Sequence, residues 1–139
     1  MIDELKNIEY VLFDLDGTVS DSSEGITKSA DKALKSEGIN VPFETLTSFI
    51  GPALRVSFGR YTDDVEKRDR MLDVYRERYS EKGWCENKIY PGMAELLRDL
   101  QKSGKHVVLA SAKPEYFCRK IIKYFGVEQY FDFIGGSDM

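Results

Sequence analysis

Histidine and cysteine are nearly missing from this chain of 139 residues, which has one His, His106, and two Cys, Cys85 and Cys118. With a single imidazole and no C-x-x-C pair, a zinc site and a Ser-His-Asp triad are both disfavoured. Without a cysteine framework, the two thiols are expected to be reduced. Long apolar runs are absent too: no stretch approaches the ~18 consecutive apolar residues of a membrane span. The opening residues, MIDELKNIEY, carry acids and no apolar core of a signal peptide, so the expected location is the cytoplasm. Basic charge is not in excess. The net charge is −4, from 20 Lys and Arg against 24 Asp and Glu. A chain without a basic stripe makes a poor nucleic-acid binder, because phosphate contacts supply most of that affinity. The expectation is therefore no nucleic-acid partner and no membrane.

What remains is ordinary for a soluble domain able to bury a core: 42% hydrophobic and 32% charged residues. That composition is too apolar for a disordered tail. The acid excess sits at the front. Residues 1–19 hold Asp3, Glu4, Glu9, Asp14 and Asp16 against Lys6 alone, a net of −4, so residues 20–139 sum to zero.

The run Glu9–Asp14, EYVLFD, predicts a short strand buried on both faces, as parallel-sheet strands are. His106–Ser111, HVVLAS, repeats the pattern, and Phe131–Gly135, FDFIG, is a weaker third case. Helices are expected between them. From Ser22 to Glu37, Ile26, Ala30, Ala33 and Leu34 share a face, with Gly38 as the stop. Pro52 starts a short helix through Arg60. Thr62 caps a longer one, striped by Val65, Leu72, Tyr75 and Tyr79. Pro91 opens another, with Met93, Leu96, Leu97 and Leu100 inward and Gly104 as its stop. Pro114 sits at a first helical position, ahead of the stripe Phe117, Ile121, Ile122 and Phe125.

The segment between the first two strands is too long for one crossover. The reading is therefore an α/β protein: a Rossmann-like parallel-sheet core, residues 1–19 and 86–139, with an all-helical cap inserted at 20–85. Trp84, Tyr75 and Tyr79 are expected in the cap's core. His106 is expected to be structural, and Cys118 buried and inert.

The sharpest motif is Asp14-Leu15-Asp16-Gly17-Thr18, at the carboxyl end of the first strand. Open α/β sheets bind ligands outside the carboxyl ends of their strands. Acids at i and i+2 point to one side, and two close carboxylates repel unless a cation relieves them. A hard cation such as Mg²⁺ does so and bridges to phosphate, which makes Asp14 and Asp16 candidate metal ligands. One carboxylate could attack phosphorus, and the other could act as acid and base. Gly17 lets the backbone approach a ligand, and Thr18 offers a hydroxyl. Asp-Gly is also a common turn pair, which is the plainer explanation. A calcium loop is not: counted from Asp14, its sixth position is Val19 and its twelfth Gly25, where Gly and Glu are needed.

The second element is Ser111-Ala112-Lys113-Pro114, at the end of the next strand and the start of a helix. A helix N-terminus attracts phosphate, Ser111 adds a hydroxyl and Lys113 a cation. An ordinary N-cap would read the same way.

Asp14–Thr18, a helical insertion, and then LASAKP at 109–114 together resemble the haloacid dehalogenase superfamily of phosphatases, in particular its phosphoglycolate phosphatase-like branch. Phe49–Arg55 (FIGPALR) and Tyr90–Met93 (YPGM) resemble that branch's cap loop and cap exit. The resemblance implies that Asp14 is the nucleophile, forming an aspartyl-phosphate. Asp16 would be the general acid/base and lend its carbonyl to Mg²⁺, and Ser111 and the backbone of Ala112 would hold phosphate. Arg55 would face the substrate, a small phosphorylated metabolite; otherwise it is one charge on a solvated helix.

The resemblance also implies a later lysine and a further acidic pair. No lysine follows Lys123, and Asp138 has no acidic partner after it. The expectation is three core strands with the later ones missing, so that the first strand becomes an apolar edge and supports a homodimer. Two alternatives stand beside a phosphoglycolate phosphatase-like hydrolase. One is a 5′-nucleotidase on the same scaffold; the other is a catalytically impaired fragment that binds phosphate or self-associates.

Overall fold

A computed structural model describes residues 3–138. The strands are β1 (Tyr10–Phe13), β2 (Ser20–Asp21), β3 (Lys88–Ile89), β4 (His106–Pro114) and β5 (Phe133–Ser137). The helices are α1 (Ser23–Ser36), α2 (Leu54–Gly59), α3 (Val65–Glu81), α4 (Met93–Lys102) and α5 (Glu115–Tyr124), with short 3₁₀ turns between them. The chain divides into two compact units: one runs to Ser20 and resumes at Ile89, and the other is Asp21–Lys88. The chain passes from one to the other through β2 and β3, a two-stranded sheet whose residues are too few to stand out in the sequence.

The first unit is an α/β layer. Its three-stranded sheet has the order β1-β4-β5, all parallel. The register sets Tyr10 against His106 and Phe13 against Leu109, and then Leu109 against Ile134. Leu97, Val107, Leu109, Ile121 and Ile122 form a fully buried core. Positive φ at Gly92 (84°) and Gly126 (71°) starts α4 and stops α5, as the two sequence patterns require.

The structure corrects several expectations here. β1 is buried on one face only: Phe13 is buried, while Tyr10 and Leu12 are 57% and 64% exposed. The reason is its place at the sheet edge, paired on one flank with β4 and with no strand on the other among the described residues. Leu96 points outward, because α4 buries only the narrower stripe of Leu97 and Leu100. The third strand begins two residues later than the apolar run does. Asp132 breaks that run by turning its carboxylate to the Val107 amide at 2.8 Å.

The second unit is helical and carries its own core. α1 buries Ile26, Ala30, Ala33 and Leu34, as its periodicity predicts. Phe49 meets Phe58 edge-on at 4.9 Å, Phe58 meets Tyr75 at 6.1 Å, and Tyr75 stacks on Tyr79 at 5.7 Å. Trp84, expected in that core, is only half-buried. The cap of α3 is Asp64, not Thr62: its Oδ1 accepts the amides of Glu66 (2.9 Å) and Lys67 (3.3 Å). Thr62 instead accepts the Asp64 amide. Val65, expected in the stripe, lies at the exposed first turn. A bidentate Arg78–Glu86 pair, at 2.8 and 3.2 Å, ties α3 to the end of the unit. Gly25 and Gly83 cross so closely that a Cβ on Gly25 would lie 2.0 Å from the Gly83 carbonyl oxygen.

Candidate active site

The parallel register places the carboxyl ends of β1 and β4 side by side. Where β1 stops, the chain turns on a buried residue. The Leu15 side chain is fully buried, and its carbonyl accepts the amides of Thr18 (3.2 Å), Val19 (3.0 Å) and Ser20 (3.2 Å). Gly17 takes φ of 80° and donates its amide to the Ser20 carbonyl at 2.8 Å. A side chain there would be strained, so glycine is required. The turn leaves Asp14, Gly17 and Thr18 exposed, with Asp16 half-buried. The turn reading of Asp-Gly is thus met by this loop, which also leaves Asp14 facing solvent. Asp14 Oδ1 accepts the Leu15 amide at 2.7 Å, which fixes the carboxylate's rotation.

On the neighbouring strand, the sequence expectation needs correction. β4 runs on through Pro114, three residues past its expected end at Ser111, and α5 begins at Glu115, one residue after the expected first helical position; its cap position, Pro114, makes no side-chain capping bond. Ser111 Oγ accepts the Lys113 amide at 3.1 Å. Ala112 is exposed. The Lys113 side chain reaches back to Asp16, with Nζ 3.1 Å from Oδ2 and 3.3 Å from Oδ1. Only 9% of the lysine side chain and 14% of the aspartate side chain are exposed. Asp16 lies three residues past Phe13, and Lys113 four past Leu109, the register partner of Phe13.

Sequence reasoning missed this pair, although the carboxyl ends of two adjacent parallel strands brought both residues into view. It also missed two supports beneath the pair. Cys118 is fully buried, and its thiol donates to the Lys113 carbonyl at 3.6 Å. Burial pushes that thiol up to about 11, with Asp16 and Asp14 adding to the rise and the Ser111 hydroxyl and Lys113 opposing it. It is therefore a neutral packing group near neutral pH, as expected, and no nucleophile. Gly136 packs flat: a Cβ there would lie 2.6 Å from the Glu115 backbone and from the Lys113 carbonyl oxygen. The pair Gly135-Gly136 was its only signal in the sequence.

Arg55 lies in the other unit, exposed on α2, with its guanidinium 2.9 Å from Asp69. His106 is at the opposite, amino-terminal end of β4, stacked on Tyr10 at 4.8 Å.

For a divalent cation the donors are few. Among the described residues no group of three or more His, Cys, Asp or Glu side chains converges. Asp14 and Asp16 remain, two carboxylates of which one faces an ammonium. Hard oxygen donors of that kind suit Mg²⁺, which is commonly held through one or two carboxylates, substrate phosphate and water.

Residues 11–139 match the family model described as haloacid dehalogenase-like hydrolase. The chain is 39% identical over 131 residues to a 5′-nucleotidase of Pseudomonas aeruginosa, covering 93% of this chain and 59% of that protein. It is 37% identical over 130 residues to the tyrosine-protein kinase PtkA of Mycobacterium tuberculosis, covering 93% of this chain and 44% of that protein. It is 32% identical over 132 residues to a phosphoglycolate phosphatase of Aquifex aeolicus, covering 94% and 62%. A solved haloacid dehalogenase-like hydrolase from Streptococcus pneumoniae superposes with a TM-score of 0.88 at 30% identity, covering 94% of this chain and 62% of that one. The chain thus spans between 44% and 62% of the length of these proteins. The family match begins inside β1, takes in both strand ends that carry the site, and continues through β5, so the chain belongs to the haloacid dehalogenase-like hydrolases.

Proposed function

We propose that this chain carries the nucleophile and acid/base of a Mg²⁺-dependent phosphomonoester hydrolase of the phosphoglycolate phosphatase-like kind. The observation that carries this reading is the convergence of Asp14, Asp16, Ser111 and Lys113 at adjacent strand ends, with Lys113 3.1 Å from Asp16.

The roles follow from exposure and contact. Asp14 is the solvent-facing carboxylate, held in one rotation by the Leu15 amide. One of its oxygens attacks phosphorus, and the bond from phosphorus to the ester oxygen breaks. Asp16, once it has taken up a proton from solvent, gives it to the departing oxygen, and as a carboxylate then takes one from the water that cleaves the aspartyl-phosphate and releases inorganic phosphate. Ser111 and the backbone of Ala112 hold the phosphoryl oxygens, with the exposed Gly17 and Thr18 beside them. Asp14, with a carbonyl of the same loop, would hold Mg²⁺, which neutralises phosphate charge when bound.

The test is Mg²⁺-dependent hydrolysis of an aryl phosphate by the wild type and by Asp14→Asn. Expected is turnover in the wild type and a loss on the order of a thousandfold or more in the variant, because the covalent route disappears. Equal activity in both would remove Asp14 from the mechanism. Wild type that binds phosphate without turnover would identify a phosphate-binding piece rather than an enzyme. The 39% identity to a 5′-nucleotidase favours a second reading on the same scaffold. Comparing phosphoglycolate with nucleoside monophosphates as substrates separates the two.

A further inference from the structure

Lys113 entered the sequence reading as a cation for phosphate, but its surroundings give it another task. Its main chain is fixed from several sides. The amide donates to Ser111 Oγ at 3.1 Å, the carbonyl accepts the Cys118 thiol, and Gly136 lies against it with no room for a side chain. Pro114, with φ of −52°, stiffens the next residue. Asp16 is fixed likewise. Its loop is closed by three amides on the Leu15 carbonyl and by the Gly17 amide on Ser20. Between these two clamped backbones the side chains meet through both carboxylate oxygens, at 3.1 and 3.3 Å, and both are largely buried. An ammonium shared between two oxygens of one carboxylate fixes where that carboxylate lies. A largely buried pair is also costly to part, because each charge loses its counterpart away from water.

We propose that Lys113 is a positioning residue for Asp16, its cation committed to that carboxylate rather than to the phosphate of the substrate. The inference rests on the phosphatase reading above, in which Asp16 moves the proton. On this assignment Ser111 and the backbone of Ala112 bind phosphate, and Lys113 governs how well the acid is aimed.

The experiment compares wild type, Lys113→Met, Lys113→Arg and Ser111→Ala. Calorimetry with inorganic phosphate is the first measurement. Hydrolysis of an aryl phosphate and of an alkyl phosphate, which needs the leaving-group proton far more, is the second. Expected for Lys113→Met is phosphate affinity within about twofold of wild type, KM nearly unchanged, and kcat reduced on the order of 10²-fold for the alkyl ester and less for the aryl ester. Lys113→Arg, which keeps a cation, recovers part of kcat. Ser111→Ala weakens phosphate instead. A third measurement needs no turnover: thermal unfolding of Lys113→Met, Asp16→Asn and the double variant, in which the double change costs less than the sum of the singles. Phosphate affinity that falls tenfold or more in Lys113→Met, a KM effect in place of a kcat effect, or strict additivity in the unfolding cycle overturns the assignment. A wild type that neither binds phosphate nor hydrolyses either ester overturns the phosphatase reading itself.

Discussion

The two units bury their apolar side chains to very different degrees. In the helical unit four aromatic groups, Phe49, Phe58, Tyr75 and Tyr79, are buried and touch in sequence, while Phe43 is exposed. In the sheet unit Tyr10, Leu12 and Phe133, all on the outer strands, are each more than half exposed. The helical unit also holds one ion pair largely out of water, Arg78 on Glu86. The sheet unit spends its strand ends on a polar cluster and leaves β1 uncovered. A side chain of the same chemical type thus has opposite energetic meaning in the two regions, and burial decides which.

The sharpest way to break that contrast is a pair of truncations. Phe58→Ala should cost about 3–5 kcal/mol, the range for removing a buried aromatic ring. Leu12→Thr should change stability by no more than ~0.5 kcal/mol, as exposed positions do. Chemical denaturation of both variants measures this, and equal losses would show that β1 is covered in solution.

Next in size is a difference in pH response. The Cys118 thiol rises from its ordinary 9.0 to about 11, chiefly through burial. A raised value means that the protonated form is favoured in the fold. The gain is complete below pH 9 and is lost as pH climbs from about 9 to about 11. A rise of that size corresponds to about 2–3 kcal/mol. Cys118→Ala should therefore flatten the alkaline limb of the stability curve, and an unchanged limb would refute the buried thiol. In the helical unit the limb is acidic. The hydrogen bond from Arg78 holds the Glu86 carboxyl below its ordinary 4.5, with Lys28 assisting and burial opposing. That stability is present above pH 4.5 and disappears as acid takes the pH through the lowered value. Glu86→Gln should abolish this smaller acid-side loss, read by thermal unfolding at stepped pH.

The smallest expected signal is association. β1 carries no charge between Tyr10 and Phe13, and an unguarded apolar edge tends to recruit another strand. Light scattering across a concentration series should show mass rising with concentration, less so for Leu12→Lys. A constant monomer mass would count against it.

The helices were legible because their periodic stripes and glycine stops are local. Ile26, Ala30, Ala33 and Leu34 and then Gly38 needed no tertiary information. Asp14 and Asp16 were legible because a paired-acid turn at a strand end has few uses. Errors came where distant neighbours decide. Whether Leu12 is buried depends on what flanks β1. Whether Thr62 or Asp64 caps α3 depends on where the chain enters the helix. The helix was expected to start at Pro114, which favours helix starts, but pairing of β4 with β5 holds Pro114 against Ser137 and extends the strand. The Lys113–Asp16 pair joins residues 97 positions apart, so only the register of β1 on β4 could reveal it.

The most direct measurement asks whether phosphate becomes bonded to Asp14. The protein is mixed with a phosphate ester and Mg²⁺, quenched in acid within the turnover time, and digested for peptide mass mapping. The account predicts one phosphoryl increment on the peptide that contains Asp14, absent from Asp14→Asn. Ester hydrolysis without that increment, or an increment on a different residue, would contradict it.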